Sequence, residues 1–423
     1  MLMEWVNHAS YIVKSGNVRL ICDPWLEGTA FNQGWSLLSP TKMSYDEFSS
    51  ITHIWFSHEH PDHFSPPNLR KIPEECRRKI MVLFRHTTDK RVLNVCKSLG
   101  FGITELPEGQ PIDLGSGVSI LCGTQDDLDS WLCLRAEGRT LLNMNDCVFP
   151  RQSDLEEIKR KTGSVDVLLT QFSYANWVGN IADTASHEKH ANRKRAEIAR
   201  QCRVFQPTQL IPFASFIYFS HSDNWFMNYG VNRIDDIFAF VTQELQVPAV
   251  VLYPGDRWDV GTPRDSRDSL HRYELDFERV MKATPLTCEP VDIRHLQEVA
   301  SAMVAKCTAQ NNPVLLKALP PTVIRLSDLG KDLEFSYRKG LNEVHGRRLD
   351  IIISSDSLFN CFTTEWGGET LMINGRFQVP TEGNVRRFFR MFRVPRHNSF
   401  GSAVNLRFLG RQVIKKVRSE WAH

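Results

Sequence analysis

From Ser57 to Phe64 the chain reads SHEHPDHF, directly after the apolar run THIWF, and no other stretch limits its fold so tightly. Three imidazoles and the carboxylate of Asp62 fall within the six positions from His58 to His63. One histidine alone would read as a surface residue; this order at this spacing reads as a metal site. On a loop leaving the end of a strand, alternate residues share a face, so His58 and His60 project the same way. The turn at Pro61 then brings Asp62 and His63 round. One pair of ligands can serve each of two adjacent metal ions. Imidazole nitrogen and carboxylate oxygen suit zinc, iron and manganese.

The frame for such a loop is visible along the N-terminal half. Short β-branched or aromatic runs end abruptly in polar residues: VRLICD, THIWFSH, KIMVLF, VSILCG, WLCLRA, TLLNMND, VDVLLTQ, QLIPFA and AVVLYPGD. Glu137-Gly138 between WLCLRA and TLLNMND is a tight hairpin signal. DLEEIKRK and ASHEKHANRKRAEIARQCRVF are helical. Strands that repeatedly end in His, Asp or Gly predict an α/β architecture with its site along one edge of the sheets. A chain of 423 residues exceeds one compact core, so two domains are expected. The texture changes near residues 265–290, and the division is placed at 1–270 and 271–423. The second part runs from the helical HLQEVASAMVAKC through PVLLKALPPTVIRL to the strand-like LEFSY, RLDIIISS and ETLMINGRFQV.

H-x-H-x-D-H is the signature of the metallo-β-lactamase fold, and the chain resembles that family more narrowly. Asp23-Pro24-Trp25-Leu26-Glu27-Gly28, Ala30-Phe31, Gly34-Trp35, the histidine loop, Leu142-Asn143, Asp146-Cys147, Pro212-Phe213-Ala214 and Ser220-His221 follow in order. In that order they are similar to the metallo-β-lactamase-like part of the CMP-N-acetylneuraminic acid hydroxylase family, from about Trp5 to Gly261. The resemblance implies an αββα sandwich with a C-terminal α+β accessory domain. It also implies a dinuclear centre in which Asp146 bridges and His221 is the last imidazole.

At one position the sequence departs from the fold's hydrolases, which have a histidine where CGTQDDLDSW stands. No histidine lies between His86 and His187. Gln125, Asp126, Asp127 and Asp129 are available, and the resemblance selects Asp127. A carboxylate makes the site harder and shifts preference from zinc towards iron or manganese. The expected ligands are therefore His58, His60 and Asp127 on one metal, Asp62, His63 and His221 on the other, and Asp146 between. Asp62 and Asp146 are also the catalytic candidates. The implied activity is that of an oxygen-dependent, dinuclear, iron-containing hydroxylase (a monooxygenase), its substrate a small anionic molecule such as a nucleotide-activated sugar. The alternative is a hydrolase of lactones, phosphodiesters or thioesters using a metal-activated hydroxide. The vertebrate-type hydroxylases carry a Rieske domain with Cys-x-His ligand pairs, and no such pair occurs here. Electrons are then expected from a separate ferredoxin or reductase.

Other positions admit two readings. Asp23 either hydrogen-bonds a ligating histidine and fixes its tautomer or caps a turn. His8 lies near the same edge or is structural. Trp25, Trp35, Trp177 and Trp225 wall a pocket or fill the core, with Trp225 the substrate-binding candidate. Arg257 binds an anionic group or makes a surface salt bridge. In RLDIIISSDSLFNCFTTEWGGETLMINGRFQV, an apolar stretch, a Gly-Gly turn and a strand give a weak likeness to a sterol-carrier module.

Net charge is +2, yet Val385 to His423 carries ten Lys+Arg against Glu420 alone. VRRFFRMFR there reads either as a docked helix with solvated arginines or as a site for anions. No nucleic-acid-binding module is recognisable. No apolar run is long enough to span a bilayer, and the N-terminus lacks a signal-peptide pattern, so the expected location is the cytosol. The ten cysteines show no C-x-x-C and are expected to be reduced core residues.

Overall fold

A computed structural model describes residues 1–125 and 128–405. Two sheets face each other in the first domain. The seven-stranded sheet runs in the order Arg257–Asp259, Leu2–Asn7, Ser10–Ser15, Val18–Cys22, His53–Phe56, Met81–Arg85, Gly102–Leu106. The six-stranded sheet runs Gln209–Phe213, Val167–Gln171, Arg139–Asn143, Asp129–Ala136, Val118–Gln125, Pro111–Gly115. Strand alternation explains why two cores flank the first sheet. Trp5, Tyr11, Leu20, Cys22, Trp55 and Leu83 point inward against Ile120, Cys122, Trp131 and Leu142 of the second sheet. Their neighbours Val6, Ile12, Ile21, Ile54, Phe56 and Val82 point outward onto Leu69, Cys76, Val92 and Cys96, from the short helices Pro66–Lys71, Glu74–Arg77 and Arg91–Ser98. The helices Gln152–Thr162 and Thr184–Phe205 pack on the far side of the second sheet through Leu155, Ile158, Ile198 and Cys202. The expected αββα sandwich is the result.

The hairpin at Glu137-Gly138 is a two-residue connection between paired Ala136 and Arg139, with both φ angles positive, as a primed turn requires. AVVLYPGD does not form the expected strand. It crosses the core through Val250, Val251 and Leu252 with only a single bridge, Leu210 to Ala249. The Val251 amide is taken by the Ser266 hydroxyl instead of a neighbouring strand.

The second domain is an α+β unit with its own core, beginning at Leu296. Its five-stranded sheet, in the order Gly340–Glu343, Lys331–Ser336, Thr322–Leu326, Ile351–Ile353, Phe377–Gln378, packs against the helices Ile293–Gln310, Ser355–Thr363 and Val385–Ser399. ETLMIN is not a strand but part of the helix Gly367–Asn374, ended by Gly375 at φ +67°. Gly367-Gly368 is likewise no turn: both lie in that helix, where a side chain on Gly367 would meet the backbone of Cys361. The basic stretch from Val385 docks as an amphipathic helix whose Phe388, Met391 and Phe392 are buried. The remainder of the basic tail, from residue 406, lies outside the described residues. None of the ten cysteines is in a disulfide, and nine are buried. Among the described residues no helix is long and apolar enough to cross a membrane.

Candidate metal centre

Strand ends converge at one edge of the sandwich. His8 follows Leu2–Asn7, Asp23 follows Val18–Cys22, the histidine loop follows His53–Phe56, Asp129 opens Asp129–Ala136, and Asp146 follows Arg139–Asn143. His8, Asp23 and Asn145 hold positive φ angles of 38°, 40° and 48°. For residues other than glycine such angles cost energy, and they turn these side chains across the strand ends.

Three ligand groups result, each with its donor atoms within 4.8 Å of one another: His58, His60 and Asp129; His58, His63 and Asp146; and His8, Asp62 and His63. His58 Nε2 is 2.8 Å from His60 Nδ1, 3.8 Å from Asp129 Oδ1 and 3.9 Å from Asp146 Oδ2. His63 Nε2 is 3.2 Å from Asp62 Oδ2 and 3.5 Å from Asp146 Oδ2. His8 Nε2 reaches Asp62 Oδ2 at 3.3 Å. The sequence-derived residues His58, His60, Asp62, His63 and Asp146 thus meet, and His8 joins them. Asp127 lies outside the described residues. Asp126 also lies outside the described residues; Gln125 exchanges hydrogen bonds with the backbone of Val148, and Asp129 is the described carboxylate of this stretch that faces His58 and His60.

The groups behind these residues are polar and buried. Asp23 accepts hydrogen bonds from the Ser57 amide (2.8 Å), the Ser57 hydroxyl (2.7 Å) and Asn145 Nδ2 (2.7 Å), and lies 2.9 Å from His63 Nδ1. Gln171 Nε2 donates to Asp146 Oδ1 at 3.0 Å. Ser57, Asn145 and Gln171 were not singled out in the sequence. Gln171 ends the run VDVLLTQ at the same edge as the metal motif, a signal that could have found it.

Burial sets the electrostatics. It pushes His58, with His63 beside it, and His60, with His58 beside it, down to about 4, so both imidazoles are neutral at ordinary pH. Burial also opposes charge on His63, but Asp62, Asp146 and Asp23 outweigh it and hold His63 well above its ordinary value. Asp62 is held well below its ordinary value by His63 and His8 despite its burial. Asp129 is pushed up to about 6 by burial and by Asp146.

These residues fit a metal. Among the described residues Asp62 Oδ1 and Asp129 Oδ1 are buried without a hydrogen-bond partner. Each such atom costs about 1–3 kcal/mol, which a cation would offset. The donors are all imidazole nitrogens and carboxylate oxygens, the set that zinc, iron and manganese accept.

His221 stands apart from the three groups. It is buried, with Nδ1 3.3 Å from Asp223 Oδ2 and Nε2 without a partner among the described residues. Arg257 does not join the site: it lies exposed on the edge strand and pairs with Glu4 at 3.5 Å, the surface salt bridge of the two readings. Trp225 is half-buried against Tyr218. Trp25 meets His8 edge-on at 5.7 Å, Trp35 packs on Phe31, and Trp177 stacks on Phe377 of the second domain.

Comparison with known proteins agrees with this geometry. Residues 2–171 match the profile of the beta-lactamase superfamily domain. The first domain has the metallo-β-lactamase fold. The chain is similar to cytidine monophosphate-N-acetylneuraminic acid hydroxylase from Sus scrofa, 26% identical over 285 residues, which is 62% of this chain and 63% of that protein. It is also 26% identical to the enzyme of that name from Mus musculus over 290 residues, 63% of this chain and 48% of that one. The chain thus spans less than two thirds of the length of either relative. Among solved structures, CmlA, a diiron beta-hydroxylase from Streptomyces venezuelae, is similar over 61% of this chain and 53% of its own, with 14% identity and a TM-score of 0.43. In this metallo-β-lactamase-fold domain the histidine loop and Asp146 occupy the edge where the two sheets meet.

Proposed function

We propose that the chain is an oxygen-dependent hydroxylase with a dinuclear, iron-containing centre, acting on a small anionic substrate such as a CMP-activated sugar. The observation that carries this reading is the carboxylate of Asp129 beside His58 and His60, in the stretch Gln125–Asp129 where the fold's hydrolases have a histidine and the resemblance selects Asp127. The sequence likeness to CMP-N-acetylneuraminic acid hydroxylases supports it. His58, His60 and Asp129 would hold one metal, Asp62, His63 and His221 the other, with Asp146 shared.

When bound, two irons supply the reduction of dioxygen and the oxidising power for hydroxylation. Per turnover one C–H bond would become C–OH and the second oxygen atom would leave as water, with two electrons from a separate ferredoxin or reductase and two protons from solvent. The chain's own residues set the stage. Asp23 accepts the Nδ1 hydrogen of His63, so that the proton His63 would release to a metal is the one on Nε2, on the side of Asp62 and Asp146. Gln171 fixes Asp146 through one oxygen and leaves the other between His58 and His63. The neutral His58 and His60 present lone pairs without first releasing a proton.

The test is protein purified from iron-supplemented cells, analysed for metal, chemically reduced, and exposed to oxygen with CMP-N-acetylneuraminic acid. About two irons per chain, with oxygen uptake matched by hydroxylated product, is the expected result. Two zincs with no redox response and anaerobic turnover of a lactone, phosphodiester or thioester would replace it with the hydrolase.

A further inference from the structure

Arg376 is a fully buried guanidinium that belongs to the second domain and serves the first. It follows the helix Gly367–Asn374 and reaches across the domain junction. Nη1 donates to the carbonyl of Asn32 at 2.8 Å and pairs with Asp356 at 3.0 Å, while Nε and Nη2 both lie 3.2 Å from Asp223 Oδ2. Its neighbour Asn374 crosses the same junction twice. Asn374 Nδ2 donates to the Phe31 carbonyl at 3.0 Å, and its own carbonyl accepts from Asn224 Nδ2 at 2.6 Å. Gly34 leaves room for this contact, since a Cβ there would lie 2.4 Å from Asn374 Cβ.

A buried guanidinium never loses its proton and needs a compensating anion. Asp356, from its own domain, already provides one. The second carboxylate is shared: Asp223 Oδ2, bound by Arg376, also accepts from the Ser354 hydroxyl at 2.8 Å and lies 3.3 Å from His221 Nδ1. That nitrogen has a competing neighbour, the Asp223 amide at 3.1 Å, which would favour the opposite tautomer. Arg376 and Ser354 both hold Asp223 Oδ2 where it stands, 3.3 Å from Nδ1, and a carboxylate in that place accepts a hydrogen from Nδ1. The lone pair is then on Nε2, which is buried and has no partner among the described residues. A carboxylate behind Nδ1 is how proteins orient an imidazole as a metal ligand.

We propose that Arg376 is a positioning residue of the metal centre, acting through Asp223 to hold His221 in the tautomer and orientation of a ligand, so that the second domain completes the site. This rests on the reading of His221 as a ligand given above. An inter-domain clamp with no such role would stabilise the junction and leave metal affinity alone.

The two are separated by titrating the metal-free full chain with Co2+, followed by visible absorption and calorimetry, alongside thermal unfolding. Arg376→Met and Asp223→Asn should each weaken one of two binding equivalents by about 10–100-fold and leave the other unchanged, with Arg376→Lys restoring part of the loss. Asn180→Ala is the control: it removes the paired hydrogen bonds to the Val379 backbone, 2.7 Å each, at another point of the same junction, and should leave both equivalents intact. If Arg376→Met does not fold, Asp223→Asn decides. Affinities within twofold of the parent in folded Asp223→Asn, while His221→Ala loses an equivalent, would overturn the role of Arg376 alone. Two full equivalents in His221→Ala would overturn the ligand assignment and this inference with it.

Discussion

Asp23 Oδ2 lies 2.9 Å from His63 Nδ1, with both side chains completely buried, and the same carboxylate gathers Ser57 and Asn145. It ties three loops together beneath the histidines. Asp23→Asn keeps the volume but introduces an amide donor among other donors. Calorimetric metal titration should show binding weaker by about 10–100-fold. Thermal unfolding of the metal-free protein should show a loss on the order of 3 kcal/mol, as for other buried pairs broken on one side. Unchanged metal affinity would reduce Asp23 to a turn cap.

Asp129 makes the metal-free fold pH-sensitive in a defined direction. Its folded pKa is about 6, against about 3.9 in an unfolded chain. The folded state therefore binds more protons in that window, and stability falls as pH rises from about 4 through 6. Above pH 6 the full penalty, about 3 kcal/mol, is present. Asp129→Asn should raise the melting temperature of the metal-free protein at pH 7.5 and leave it unchanged near pH 4. His58 and His60 act oppositely, costing stability as pH falls from about 6.5 towards 4, but they do so in both proteins and cancel in the difference. The same variant should lose metal, and its affinity in the parent should decline as pH drops through 6.

What could be read from the chain alone follows from range of interaction. The histidine loop, the strands before it and the Glu137-Gly138 hairpin are specified by residues a few positions apart, and the structure has them. ETLMIN misled because a short apolar run fits a strand as well as a helix. Its helical state is set by packing on Phe392 and Cys361 and by the stop at Gly375. AVVLYPGD has a strand's composition but lacks a neighbour to pair with along its length. At the third ligand position the resemblance selected Asp127, which lies outside the described residues, and Asp129 of the same stretch is the carboxylate the structure brings to the histidines, because the register of the hairpin decides which side chain turns inward. Arg376 carried no signal: it meets Asp223 across 153 positions, and nothing local to either residue announces the other.

Gly367 tests the second core. Its helix lies so close to Ser355–Thr363 that a Cβ would sit 2.4 Å from Cys361 Cα and 2.7 Å from the Asn360 carbonyl, both backbone atoms that cannot rotate away. Gly367→Ala should therefore cost about 1–3 kcal/mol in spite of alanine's better helix propensity. Limited proteolysis should detect faster cleavage in the second domain. Stability equal to or above the parent would mean that the two helices are not so closely packed.

Asp146 Oδ2 stands 3.9 Å from His58 Nε2 and 3.5 Å from His63 Nε2, and among the described residues its carboxylate is the one that faces both histidines. If it is shared between two metals, its loss differs in kind from that of any other ligand. His60→Ala removes a donor from one group and Asp62→Ala from the other, so each should cost one metal per chain by native mass spectrometry. Asp146→Ala should cost both, because each ion loses a ligand and the two positive charges lose the anion that lets them sit close together. Retention of one full equivalent in Asp146→Ala would show that the carboxylate serves a single metal, and the centre would then be two independent sites with no shared ligand.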